Sequence, residues 1–147
     1  EWIFLGAYRP AMDQKIVIAS HVSAPKNRVW EAYTQPQHIV GWNFADPSWH
    51  CPRAVNDLRI GGRYVARMEA KDGSYGFDFE AVYLEINHEQ NFTYEFGGRL
   101  ATVVFKEADG QTEVTVTFDS ETENSVELQR EGWQSILDNF RTYCEKL

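Results

Sequence analysis

The clearest hydrophobic pattern lies in the last stretch of the chain, Asn124 to Leu147. Its apolar residues are Val126, Trp133, Ile136, Leu137, Phe140, Tyr143, Cys144 and Leu147. Spacings of three, four and seven draw one stripe along an α-helix. The opposite face carries Glu127, Arg130, Glu131, Asp138, Arg141, Glu145 and Lys146. Asn124 or Ser125 is placed to cap the start by accepting backbone N–H bonds. At ~1.5 Å per residue the helix spans roughly 35 Å, the width of a small domain.

Almost everything before it alternates as strands do. Lys15 to Val22 places Ile16, Ile18, Ser20 and Val22 on one face, and Ala24-Pro25 stops it. Lys26 to Thr34 predicts a short helix with Val29, Trp30 and Tyr33 on one side. Pro36 opens a second short helix that ends near Trp42, because proline is tolerated in a first helical turn. Asn43 to Val55, with Pro47 and Pro52, predicts a loop rich in Phe44, Trp49 and His50. From Asp57 the signal is β. Gly61-Gly62 is a turn. Arg63 to Ala70 sets Tyr64, Ala66 and Met68 against Val65, Arg67 and Glu69. Asp72-Gly73 is a hairpin signal. Ser74 to Ile86 sets Phe77, Phe79 and Ala81 against Asp78 and Glu80, and apolar residues on both faces from Val82 predict a bulge or an extra layer. Asn91 to Phe96 aligns Phe92, Tyr94 and Phe96. After the Gly97-Gly98 turn, Ala101 to Lys106 and Thr112 to Phe118 form a last hairpin about Asp109-Gly110.

Consecutive strands joined by short turns make a meander. The predicted fold is α+β: a curved antiparallel sheet of about six or seven strands wrapped around the long C-terminal helix, with two short helices after the first strand closing one end. A lone helix with one greasy side needs such a curved sheet, and the arrangement leaves room for a cavity between the two.

Composition narrows the function. The 147 residues are the size of one domain, and a chain this long buries close to ~70% of its extended surface without staples. Acids outnumber bases 22 to 14, a formal charge of −8, which argues against nucleic acid and anionic membranes as partners. The two cysteines, Cys51 and Cys144, make no disulfide framework, so a reducing cytoplasm is the expected location. No apolar run approaches the ~20 residues of a membrane helix. Residues 1–11 are read as an N-terminal extension before a single domain of residues 12–147, with Met12 as a natural start. The apolar run Trp2 to Leu5 is short and lacks a basic flank, so it is no secretory signal. It is expected to dock on its own chain or on a neighbouring copy, the second case giving a homodimer.

The order of these signals resembles a known group. Ala24-Pro25, Val29-Trp30-Glu31-Ala32-Tyr33-Thr34, Ile39 to Trp42, Asp57-Leu58-Arg59-Ile60-Gly61-Gly62, the Asp72-Gly73 hairpin and Gly132-Trp133 carry the likeness. Together they resemble the helix-grip superfamily that includes START domains, Bet v 1-like proteins and polyketide cyclases. More narrowly they are similar to the branch related to the activator of the 90-kDa heat-shock protein ATPase. The resemblance covers Met12 to Leu147. It implies a hydrophobic cavity between the helix of Trp133 and the sheet, holding a lipid, polyketide or other apolar small molecule, and it implies no cofactor. Gly61-Gly62 suits a tight turn that side chains would obstruct. Gly132 is expected to let the helix lie close to the sheet, at a propensity cost of ~1 kcal/mol.

The residues expected to line that cavity are Trp42, Phe44, Trp49, Met68 and Phe77, with Phe79, Tyr94, Phe96, Trp133 and Leu137. Trp49 and Phe44 fall in a loop, where burial is less automatic, and are read as the pocket mouth. Tyr64, Tyr83 and Tyr94 are unranked polar handles. Other chemistry is weak. His50-Cys51 near Asp46 has no nucleophile signature around it. His21, His38, His50 and His88 do not have metal spacing. Asp78 and Glu80 share a strand face opposite Phe77 and Phe79, so an outer, solvated position is expected, and Arg67 with Glu69 reads as an outer ion pair. No catalytic residue and no metal ligand is assigned. The first reading is a cytoplasmic binder of a small hydrophobic molecule, without nucleic-acid or membrane partners. The alternatives are a cyclase- or hydrolase-type enzyme using the same cavity, and a co-chaperone-like interaction module.

Overall fold

A computed structural model describes residues 14–147. The Trp2–Leu5 arm and the boundary at Met12 lie outside the described residues. The chain runs β1 (Lys15–Val22), α1 (Lys26–Thr34), α2 (Pro36–Ile39), β2 (Trp49–His50), β3 (Ala54–Asn56), β4 (Arg63–Ala70), β5 (Gly76–Asn87), β6 (Asn91–Phe96), β7 (Arg99–Ala108), β8 (Gln111–Asp119) and α3 (Val126–Glu145). The strands form an antiparallel half-barrel in the order β1-β8-β7-β6-β5-β4-β2, with β3 also paired to β4. The path is a meander from β4 to β8, which β1 closes by pairing with β8. The fold is the helix grip expected from the hydrophobic pattern.

Two local differences have plain causes. The segment from Asn43 to Val55 is not all loop. Trp49–His50 pairs with Glu69–Ala70, and Ala54–Asn56 pairs with Tyr64–Ala66, so both lie along one edge of β4. Pro52 stands between them and cannot donate to a ladder, which keeps each pairing short. The second short helix is regular only to Ile39. Gly41 N–H then bonds His38 O and Asn43 N–H bonds Ile39 O, carrying the chain to Trp42 as irregular turns. The expected bulge falls between Tyr83 and Glu85. It resets the alternation, so that Tyr83 and Ile86 both reach the side that Phe92 occupies while Leu84 stays outside.

The glycines divide. Gly61 has φ +84°, and a Cβ on Gly62 would lie 2.0 Å from the Asp57 carbonyl oxygen, so this turn requires both. Gly132 corrects the expectation: a Cβ there meets nothing within 4 Å. The approach of α3 to the sheet is set by larger side chains instead.

Helix α3 begins at Ser125, whose side chain accepts from Leu128 N–H, so Ser125 rather than Asn124 is the cap. Buried Gln129 then ties the preceding loop down. It donates to the carbonyls of Glu121 and Asn124 and accepts from Glu121 N–H. The apolar stripe faces the concave side of the sheet, with Leu137, Phe140 and Cys144 buried. Beneath α1 the half-barrel is packed solid with rings. Trp30 meets Phe105 edge-on at 5.1 Å, and Phe140 meets Tyr33 at 4.9 Å and Trp42 at 5.0 Å. Trp42 is fixed further by donating its indole N–H to Ala32 O at 2.9 Å.

Candidate functional site

At the other end of the half-barrel the packing does not close. The inward positions of β4, β5 and β7 include Ala66, Ala81 and Ala101, all buried, among the aromatics of the same faces. A cavity of about 270 Å³ lies there between α3 and the sheet.

The structure gathers Trp42, Met68, Phe77 and Phe79 around it, together with Tyr94, Trp133 and Leu137. Phe44, Trp49 and Phe96 fall elsewhere. Phe44 borders a separate, more open groove against Asp138 and Asn139. The Asn139 amide holds that loop by donating to Trp42 O at 2.9 Å. Trp49 lies at the sheet edge, its ring 6.0 Å from Tyr75 and 6.3 Å from Phe77. Phe96 stands behind the wall, against Phe79 at 5.2 Å and Trp133 at 5.6 Å. Sequence reasoning missed Tyr33, Asn43, Arg99, Ile18, Val116 and Ile136, which also border the cavity. The inward parity of Ile18 and Val116 was legible. Asn43 sits in the irregular turns after α2 and Arg99 is the first residue of β7, where periodicity carries no signal.

The polar groups of the wall are few. Asn43, buried, donates through Nδ2 to the Tyr64 hydroxyl at 2.9 Å. Tyr83 does not share this role. Its hydroxyl donates to Asn56 Oδ1, and Asn56 donates in turn to Thr34 O, so Tyr83 serves to pin β3 to α1. Burial pushes the phenols of Tyr64, Tyr94 and Tyr33 well above the usual tyrosine range, and neighbouring tyrosines add to the shift. These hydroxyls therefore stay protonated. Arg99 is the one charged side chain that the described residues place on the wall. Its guanidinium lies 4.6 Å over the Phe96 ring and donates to Asp119 O at 3.0 Å.

The other candidate groups lie away from the cavity. Arg67 pairs with Glu69 at 2.9 Å and approaches Asp78 at 3.5 Å, and Arg63 pairs with Glu80, all on the outer face. Hydrogen bonding to Arg67 holds the Glu69 carboxyl below its ordinary value. Burial pushes the Cys51 thiol up to about 11, and its S–H points to Arg53 O at 3.5 Å. His50 turns instead towards Glu69, at 3.5 Å. Among the described residues no three His, Cys, Asp or Glu side chains come together as metal ligands would.

A curled sheet gripping one long helix, with a cavity in the grip, defines a helix-grip protein of the SRPBCC (Bet v 1-like) type. The chain belongs to the family of activator of Hsp90 ATPase homolog 1-like proteins, whose family model matches residues 23–145. It is similar to the AHSA1-like protein from Aeromonas hydrophila, with 39% identity and a TM-score of 0.86 over 90% of this chain and 93% of that one. It is also similar to a protein from Cytophaga hutchinsonii, with 41% identity and a TM-score of 0.78 over 90% and 92%. A protein from Nitrosomonas europaea, at 19% identity and a TM-score of 0.77 over 90% and 94%, shares the fold. No curated protein matches the chain significantly. The family places the protein among folds of ligand-binding or co-chaperone type. No helix of the described residues is long and apolar enough to cross a membrane.

Proposed function

We propose that this protein is a cytoplasmic binding protein that holds a small apolar molecule in the cavity between α3 and the sheet. The observation that carries the reading is a mostly apolar space of about 270 Å³ that the described residues leave open, while the other end of the half-barrel is packed solid with rings. Protein interiors otherwise pack as densely as organic crystals, so a void of this size between aromatic walls favours occupation. The volume lies just under the ~300–1,000 Å³ typical of small-molecule sites, which favours a compact ligand over a two-chain lipid.

The character of the wall supports binding over acid–base catalysis. Among the described residues no carboxylate, imidazole or thiol borders the cavity, and its phenols are held protonated. General acid–base chemistry works best with a group poised near the operating pH.

Fluorescence titration with N-phenyl-1-naphthylamine, an apolar dye that brightens out of water, tests the reading. The native protein is expected to bind it saturably. The Met68→Trp variant, which puts a larger ring where Met68 borders the cavity, is expected to bind far more weakly while keeping its fold. Equal binding by both proteins would move the dye to another surface and defeat the proposal.

A further inference from the structure

Apart from Arg99, the polar groups that the described residues place on the cavity wall gather at one spot, where Asn43 and the tyrosines meet. Tyr64 and Tyr94 are more than nine-tenths buried, and their rings lie 5.6 Å apart. Every sealed side-chain nitrogen or oxygen of the described residues has a hydrogen-bond partner. The Tyr94 and Tyr33 hydroxyls have none among the described residues, so they are not sealed; they open onto the space they border. Tyr64 differs in an informative way. Its oxygen already accepts from Asn43 Nδ2, which leaves its own O–H to be given away. The spot therefore offers hydroxyl donors that no acceptor among the described residues answers. In a water-poor cavity an unanswered donor is costly, and a ligand that supplies the acceptor gains what the empty site lacks.

The charge of the ligand follows from Arg99. The guanidinium is engaged by the Phe96 face and the Asp119 carbonyl. Its charge also contributes to holding the Glu121 carboxyl low, behind the larger effect of hydrogen bonding from Asn124. An anionic ligand would have to compete with the Glu121 carboxylate for that charge.

We propose that the ligand is a small neutral ring compound carrying a carbonyl oxygen, held with that oxygen between Tyr64 and Tyr94 and its apolar body towards Phe79, Leu137 and Trp133. A carbonyl has two lone pairs and so answers two hydroxyls at once. This assignment rests on the binding reading above and narrows it.

The probes are 1-tetralone and tetralin, which share one fused-ring body and differ by the ketone oxygen. Dissociation constants are measured by calorimetry on the native protein and on Tyr64→Phe, Tyr94→Phe and the double variant, each checked for its melting temperature. Burial alone ranks the better-hydrated ketone second. The expected result is the reverse: the ketone binds about tenfold tighter to the native protein. The preference falls stepwise in the single variants and vanishes in the double one, while tetralin affinity barely moves. Equal or tighter binding of tetralin to the native protein overturns the carbonyl assignment and leaves the cavity reading standing. So does a ketone preference that survives in the double variant, or tighter binding of phenyltrimethylammonium, which would make the rings a cation site. If neither tetralin nor 1-tetralone binds, the binding reading fails and this assignment fails with it.

Discussion

Trp133 of α3 lies flat on Phe118 of β8, with ring centroids 3.8 Å apart and planes within 7°. This stack joins helix to sheet beside the cavity and sets how close α3 can come. Phe118 is fully buried, whereas Trp133 is half-buried and borders the cavity. Phe118→Ala is therefore expected at the upper end of the ~3–5 kcal/mol that loss of a core ring costs, and Trp133→Ala at the lower end. The double variant should lose less than the sum, since the two residues share one contact worth ~0.5–1.5 kcal/mol beyond area. Urea unfolding of the three variants measures this; strict additivity would mean the stack contributes no energy of its own.

Gly132 and Gly62 should respond in opposite directions to the same change. Nothing stands near a Cβ on Gly132 within α3, so Gly132→Ala should stabilise by ~0.5–1 kcal/mol through helix propensity. A Cβ on Gly62 meets the Asp57 carbonyl oxygen at 2.0 Å, so Gly62→Ala should destabilise by ~1–3 kcal/mol or more. Thermal melts decide it. A Gly132→Ala variant that melts lower would show that α3 does press on the sheet at that point.

The buried phenols predict how the protein behaves in alkali. Tyr33, Tyr64, Tyr83 and Tyr94 all have pKa values raised, by burial first. A raised folded pKa means that the fold keeps a proton which the unfolded chain gives up. Stability is thus fully present below the ordinary tyrosine value of ~10 and is lost as pH climbs above it. The expected outcome is that phenolate absorbance from these four appears in one step with loss of circular dichroism. Gradual ionisation with the fold intact would contradict the burial of these groups.

The two thiols follow the same sign. Burial raises the Cys51 and Cys144 thiols to about 11, above the ordinary thiol range. The stability they contribute is present below ~9 and is lost as pH rises towards about 11. Neither should react with a thiol reagent at neutral pH until urea unfolds the chain. Rapid modification of the native protein at either site would show that the interior opens there.

Much of the fold was legible because the signals were long and periodic. The α3 stripe and the alternation in β4, β6 and β8 each repeat over several residues, and, Glu89 apart, the turns carry Gly or Asp-Gly where a positive φ is observed. The short pairings of β2 and β3 were not legible, because two or three residues show no period and their partner β4 lies further along the chain. The cavity was legible only as a side. Alternation says which residues face inward, and it does not say where the inward side chains fail to close on α3. It also cannot say which tyrosine hydroxyl is already used. Tyr83 and Tyr94 look alike in sequence, yet one is tied to Asn56 and the other borders the void.

The most direct test of the account is a nitrogen–proton correlation spectrum of the labelled protein titrated with 1-tetralone. The expected shifts cluster at the Trp133 indole N–H and at the backbone amides of Tyr94, Val116 and Leu137, all of which border the cavity. The Trp30 indole, in the solid aromatic end, and the Phe44–Asn139 groove should stay still. Shifts concentrated in that groove or on the outer Asp78–Glu80 face, or no shifts at saturating probe, would contradict the claim that the space under α3 is a binding site.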